Sequence, residues 1–232
     1  MDYDAIFTAF YRLFRGEADV PASTDEEYTL GLTLANNALN RWCNYDGTYW
    51  KELYTTLQAS TQVSPALVKT ITSGTSTYVA PTDMREAGGS IEIKDTDGSI
   101  LQSYQIVQPE QKQFLDENAT YAYFTGNPNS GFTLNLNPVP DATINGKSID
   151  YVYYKKPTEY SVGATKSEIA NSYFVVHHML AQRFQIERNY GGYQVAKRDS
   201  EEALKNMQQD NNSGTWADPW SLTDNSGTVW GF

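Results

Sequence analysis

Few side chains in this 232-residue sequence have the types and spacing that metal or nucleophilic chemistry requires. The two histidines, His177 and His178, are neighbours in a segment with helical periodicity. Adjacent residues on a helix point about 100° apart, so the two imidazoles cannot share one metal ion. The single cysteine, Cys43, lies beside Trp42 in another helical segment, where a buried and inert thiol is expected.

The acidic segment at residues 95–98 has some of the character of a calcium-binding loop. Such a loop needs a glycine at its sixth position and a bidentate glutamate at its twelfth, and the sequence supplies neither. The glycine-rich phosphate loop and the signature motifs of serine hydrolases and zinc proteases are also missing from the sequence. We therefore predict a protein that is not an enzyme, with no catalytic residues, no metal and no cofactor.

The most distinctive side chains occur in residues 211–232, which hold three of the five tryptophans among Gly, Ser, Asn and Asp. This segment has neither helical nor strand periodicity, so it cannot build a core of its own. Tryptophan is strongly stabilised by leaving water and is a frequent anchor of protein interfaces. We predict an extended docking tail on a partner, anchored by Trp216, Trp220, Trp230 and Phe232. A tail that folds back on its own domain is the alternative.

The net charge is −11, from 28 acidic and 17 basic residues. Proteins that wrap nucleic acid need clustered Lys and Arg, so this charge argues against that class. A single cysteine excludes an internal disulfide. The N-terminal residues lack the basic region of a secretory signal, and no apolar run approaches the ~20 residues of a membrane span. We predict no membrane association.

Helical periodicity occurs first at the N-terminal end of the chain. The spacing of apolar residues predicts helices over residues 2–15, 25–45 and 47–58. Thr24 and Glu27 have the spacing of a capping box, in which each side chain bonds the backbone of the other residue at the start of a helix. We expect the apolar stripes of these helices to pack in a core.

Helical periodicity returns near the C-terminal end. Thr165 and Glu168 have the spacing of a second capping box and predict the start of a helix. The glycine pair at residues 191–192 predicts a break. A last helix follows, with an apolar stripe from Tyr193 to Met207.

Between residues 60 and 160 the apolar pattern alternates with a period of two, which is typical of β-strands. Turn signals separate the strands at Asp97-Gly98, at Asn145-Gly146 and in the loop 125–131. Pro109 predicts the start of a short helical stretch. The candidate strands are residues 67–71, 77–80, 90–93, 100–107, 121–125, 132–136 and 149–154.

This order of patterns predicts an α+β fold. The helices at the two ends form one helical bundle, an antiparallel β domain is inserted between them, and an extended tail follows. Neither end has enough helix to bury its apolar face alone, so the two ends must pair. The predicted parts are residues 1–60 and 161–210 for the helical domain, 61–160 for the β-rich insertion and 211–232 for the tail.

Five segments in this order, among them ANNALNRWCNYDGTYWKELYTTL and NSYFVVHHMLAQRFQIERN, resemble head–tail connector proteins of tailed bacteriophages, the adaptor or head-completion class. The segments are residues 35–57, 76–93, 150–161, 171–189 and 196–210. The resemblance implies a structural virion protein that forms a homo-oligomeric ring of about twelve subunits. It also implies that the ring joins the portal protein to tail or neck proteins, and that DNA passes through its acidic channel without sequence-specific binding. The location implied is the virion neck, after synthesis in the host cytoplasm.

A second hypothesis is a carbohydrate- or receptor-binding module of a phage tail or adhesin. The sequence contains 17 tyrosines, and sugar sites use exposed aromatic faces beside Asp and Asn. Residues 121–132 have this composition. The oligomeric mass distinguishes the two hypotheses, because the first requires a ring and the second a stable monomer or trimer that binds glycans.

Overall fold

The computed structural model describes residues 1–16, 20–62, 66–116, 118–127 and 129–213. These residues form two compact units. The helical unit contains Met1–Trp50 and the described residues from Thr158 onward, and the β unit contains Lys51–Pro157. The first boundary thus follows Trp50, whereas the sequence prediction placed it after residue 60.

The helical unit contains α1, α2, α3 and α4, and α3 packs against each of the other three. This packing brings the N-terminal and C-terminal parts of the chain into one core. Its largest fully buried side chains include Trp42, Trp50, Tyr3, Phe7 and Phe174. The helices span Tyr3–Arg15 (α1), Glu26–Cys43 (α2), Ser172–Ile186 (α3) and Tyr190–Ser213 (α4).

Local capping explains why α1 forms where the sequence predicts it. The side chain of Asp2 accepts a hydrogen bond from the backbone N–H of Ala5 at 3.0 Å. At the other end, Gly16 adopts the left-handed region with φ 73° and donates its N–H to the carbonyl of Arg12 at 2.9 Å. Both ends of the predicted helix are confirmed.

The predicted capping box of Thr24 and Glu27 is wrong. Helix α2 begins one residue later, with Asp25 as its N-cap. The carboxylate of Asp25 accepts a hydrogen bond from the backbone of Ala22 at 2.8 Å and thus belongs to the turn before the helix. Asp25 makes no side-chain hydrogen bond to the first turn of α2, so this turn rather than a side-chain cap fixes the start of the helix.

The predicted capping box of Thr165 and Glu168 is also wrong. Helix α3 begins after Asn171, whose side chain accepts a hydrogen bond from the N–H of Tyr173 at 3.0 Å. Glu168 instead accepts two hydrogen bonds, both at 2.7 Å, from the backbone N–H and the hydroxyl of Thr158. An Asn closer to the apolar stripe again takes the cap position.

The predicted helix over residues 47–58 does not form. The segment contains a short 3₁₀ helix, Lys51–Leu53, followed by the first strand, β1, at Tyr54–Thr56. Asp46 and Gly47 have φ angles of 46° and 65°, which redirect the chain after α2. The tyrosine and two threonines of β1 have higher strand than helix preference, and this preference prevails over the helical spacing of the apolar residues.

The glycine pair at residues 191–192 does not break the helices, because both glycines lie inside α4. The break falls at Arg188, which adopts the left-handed region with φ 59°. Packing requires Gly192, since a Cβ atom there would lie 2.9 Å from a ring carbon of Phe184.

The β unit contains a curled seven-stranded sheet in the order β1-β7-β3-β4-β5-β6-β2. Inward-facing side chains of these strands form its core, and several of them are fully buried: Ile91, Ile93, Tyr104, Ile149 and Tyr153. The other strands span Thr77–Val79 (β2), Met84–Lys94 (β3), Ile100–Ile106 (β4), Tyr121–Asn127 (β5), Gly131–Asn137 (β6) and Ser148–Lys155 (β7).

Two features of the sheet differ from the sequence prediction. The prediction of an antiparallel domain is wrong at one pair, because β4 and β5 run parallel, with Gln105 opposite Tyr121. Parallel neighbours need a crossover, which residues 107–120 supply through the 3₁₀ helix Pro109–Phe114. The predicted strand at residues 67–71 contains only an isolated bridge at Thr70.

Candidate functional site

The predicted docking residues Trp216, Trp220, Trp230 and Phe232 lie outside the described residues. The described chain ends with α4 at Ser213, so residues 211–213 are helical rather than part of an extended tail. Two side chains hold this end of α4 against the loop after α2. Asn211 Nδ2 donates to the carbonyl of Tyr49 at 3.0 Å, and Gln208 Nε2 donates to the hydroxyl of Thr48 at 2.8 Å. These two hydrogen bonds fix the position of the C-terminal end of α4 in the helical unit.

The helical unit carries a groove on its surface between α3 and α4, with α2 contributing Arg41 at one side. We call it the α3–α4 groove. Its volume is about 240 Å³. Phe174, Ala181 and Leu204 form an apolar floor and are themselves at most 4 % exposed. The groove can therefore accept an apolar group of limited size.

Charged side chains line the rim of the α3–α4 groove. Lys197 lies with its ammonium 5.8 Å from the centre of the Tyr193 ring and 3.7 Å from a carboxylate oxygen of Glu201. Arg41 is the second cation of the lining. The rim thus combines two cations with one anion, on a chain whose overall charge is strongly negative.

His178 lies in the wall of this groove, with its ring 5.5 Å from that of Phe174. Burial, helped by the positive charge of Arg41 and opposed by Glu201, lowers the pKa of His178 to about 4. The imidazole is therefore neutral near pH 7 and adds no charge to the groove.

Gln182 places an unsatisfied polar atom in the lining of the groove. Its side-chain oxygen accepts a hydrogen bond from Asn37 Nδ2 at 3.0 Å. Its Nε2 atom is buried and has no hydrogen-bond partner in the structure. A buried unpaired donor costs about 1–3 kcal/mol.

His177 lies in different surroundings from His178. Its Nδ1 atom is 3.7 Å from a carboxylate oxygen of Asp199, and its ring centre is 3.9 Å from that of Tyr173. Burial lowers the pKa of His177, and the charge of Asp199 partly offsets the effect. The structure thus confirms that the adjacent histidines do not face one site.

Other predicted chemical groups are placed as follows. Cys43 is buried, as predicted. Residues 95–98 form the turn between β3 and β4, in which Gly98 has φ 86°. Within the described ranges, no group of three or more His, Cys, Asp and Glu is arranged to hold a metal ion.

The aromatic residues proposed for sugar stacking serve mainly as packing groups of the β unit. Residues 121–132 belong to the hairpin of β5 and β6. Tyr121 is 6 % exposed, and the ring of Phe124 packs 5.6 Å from that of Tyr151. Tyr123 is partly exposed, but its hydroxyl is bonded to Lys112 at 3.1 Å. These contacts leave little aromatic face for a sugar.

The α3–α4 groove was not predicted from the sequence. Residues Phe174, His178, Ala181 and Gln185 recur at helical spacing on α3 and mix apolar with polar types. The apolar members of this set, Phe174 and Ala181, fit a broad face buried on two sides. The polar residues His178 and Gln185 on the same side of α3 could have indicated a groove there rather than a continuous core.

None of the described helices combines the length and apolar character needed to cross a membrane.

Comparison with known proteins identifies the family. Among curated proteins, no sequence matches this chain. The family model described as SU10 adaptor protein matches residues 1–223, nearly the whole chain, and confirms the resemblance seen in the sequence. The chain therefore belongs to the SU10 adaptor protein family, a family of phage head–tail adaptors.

Proposed function

We propose that this protein is a ring-forming subunit that joins the portal to the tail in the neck of a phage virion and lines the channel for DNA. The family match over residues 1–223 carries the proposal, because phage adaptors are structural proteins that associate with other head and tail proteins. An adaptor works through its surfaces and needs no catalytic centre or cofactor.

The tail is the proposed contact with the portal protein. Residues 214–232 contain Trp216, Trp220, Trp230 and Phe232 and begin where α4 is anchored to the loop before Trp50. Each tryptophan desolvated in a fitted pocket contributes about 2 kcal/mol or more, whereas ordering the backbone costs about 1 kcal/mol per residue. A single tail therefore binds weakly. A ring gains strength by presenting many tails at once.

The acidic character of the chain supports the proposed DNA channel. The formal net charge is −11. Adhesion of DNA to a protein is driven largely by counterion release at lysine and arginine contacts, which a like-charged wall does not provide. DNA would pass such a wall without sequence-specific binding.

A mass measurement tests the assembly. The protein is mixed with purified portal rings from the same phage, and free and bound species are weighed by native mass spectrometry. The proposal expects about twelve copies in a closed ring, either alone or on the portal. A stable monomer or trimer that ignores the portal and binds glycans would support the receptor-binding alternative instead.

A further inference from the structure

We propose that the α3–α4 groove is a binding site for the chain's own tail, residues 214–232, in the subunit before assembly. Trp220 is the side chain that enters the groove. This site goes beyond the proposed function, because docking on a portal does not require any place for the tail on its own subunit.

The size and floor of the groove suit one aromatic ring. Its volume is about 240 Å³, whereas an apolar cavity of about 150 Å³ already accommodates benzene. Phe174, Ala181 and Leu204 provide the apolar floor, and the ring of Tyr193 lies in the lining. An indole buried there would exchange water for these contacts.

The polar groups of the groove match the residues around Trp220. The tail contains Asp218 and Asp224 and has no lysine or arginine. The rim offers the cations of Arg41 and Lys197 to these carboxylates. The tail thus supplies negative charge to a rim on which two cations outnumber the one carboxylate, that of Glu201.

Local geometry makes Asp218 and Trp220 act together. The residue before a proline avoids the helical region, so Pro219 keeps Asp218 extended. In an extended chain, residues two apart project to the same side. The carboxylate and the indole would therefore enter the groove together, the first toward a rim cation and the second toward the floor.

The available length of chain selects Trp220 over Trp216. On α4 the groove extends from Leu204 to Tyr193, which lie nine and 20 residues before Ser213, or about 14 and 30 Å along the helix. The part nearest Leu204 is therefore the part that the tail can reach first. Trp216 is three residues beyond Ser213 and reaches at most about 11 Å, so it cannot turn back to the groove. Trp220 is seven residues beyond Ser213 and reaches about 25 Å.

Disulfide trapping in the full-length chain tests this site. The variant Glu201→Cys/Ser221→Cys places one thiol at the groove, about 18 Å along α4 from Ser213, and one beside Trp220. The control variant Glu202→Cys/Ser221→Cys places the first thiol on an exposed residue of α4 that does not line the groove. Cys43 is buried and remains in both. The fraction oxidised within one chain is measured in a glutathione buffer by intact mass and non-reducing electrophoresis.

The proposal expects the groove pair to form the intramolecular disulfide with an effective concentration at least about tenfold above that of the control pair. Adding Trp220→Ala to the groove pair should reduce trapping to the control level. Equal trapping of the two pairs, or covalent dimers in place of cross-linked monomers, would overturn the proposal. The experiment uses isolated subunits, so its failure leaves the ring and portal docking untouched.

Discussion

Arg183 Nη2 lies 2.8 Å from Glu27 Oε1 and joins α3 to α2 across 156 residues of sequence. The same guanidinium lies 3.2 Å from Glu187, and its carbon lies 5.0 Å from the centre of the Phe14 ring. Arg15 completes the cluster at 3.6 Å from Glu27. The side chain of Arg183 is only 11 % exposed, so its charge depends on these partners.

Replacing Arg183 with alanine should destabilise the helical unit by about 2–3 kcal/mol, because the change leaves Glu27 without its closest cation and removes packing against Phe14. The free energy of unfolding in urea, followed by circular dichroism, measures the loss. Arg198→Ala is the control, since Arg198 is 72 % exposed in its pair with Asp199 and should cost at most about 1 kcal/mol. Equal losses for the two variants would show that the cluster does not hold the helices together.

Gly192→Ala should destabilise the protein by about 1–3 kcal/mol, because the added Cβ would lie 2.9 Å from the Phe184 ring. Gly191→Ala is a matched control. Its Cβ would meet only Asn189 Oδ1, at 3.9 Å, and alanine is the better helix former, so this variant should be neutral or more stable by up to about 1 kcal/mol. The change in Tm, measured by thermal unfolding of both variants, shows whether each substitution stabilises or destabilises the protein. Similar effects at the two glycines would mean that contact with Phe184 is unimportant.

Protonation of His178 should make the helical unit acid-sensitive. Its pKa is about 4 in the folded protein and 6.5 ordinarily, so the unfolded chain binds the proton more tightly. The stability that this group contributes is therefore fully present above pH 6.5 and decreases as the pH falls toward 4. His178→Gln should flatten the dependence of unfolding free energy on pH across this window, by up to about 3 kcal/mol. If the unfolding free energy of the variant depends on pH as steeply as that of the unaltered protein, the imidazole of His178 is not buried in its neutral form.

DNA binding by the isolated protein should be weak at physiological salt, because the net charge of −11 opposes contact with phosphates. Fluorescence anisotropy with a labelled duplex measures the affinity over a range of salt concentrations. Submicromolar binding with a steep salt dependence would contradict an acidic channel wall.

The parts of the fold that were predictable from the sequence have local causes. The caps Asp2 and Gly16 lie beside the ends of α1, so both ends could be placed. Alternation of apolar residues placed six of the strands, because a period of two reports one buried face of a sheet. The turn residues at 97–98 placed the hairpin of β3 and β4 in the same way.

The parts that were missed depend on tertiary partners. Strand patterns do not specify a neighbour, so the parallel pairing of Gln105 with Tyr121 was not predictable. The lining of the α3–α4 groove includes Arg41 of α2, which is distant in sequence from Gln182 of α3 and Lys197 of α4. The helical spacing of Tyr49 and Leu53 led to the wrong prediction of a helix over residues 47–58, where the chain forms a 3₁₀ helix and β1 instead.

Portal binding by a chain that ends at Ser213 tests the central claim most directly. The affinity of this shortened chain for portal rings is measured beside that of the full chain, with circular dichroism as the check on folding. We predict that the shortened protein keeps its folded helices and loses measurable binding, because Trp216, Trp220, Trp230 and Phe232 are gone. Binding with unchanged affinity would contradict the account of the tail as the link between this adaptor and the portal.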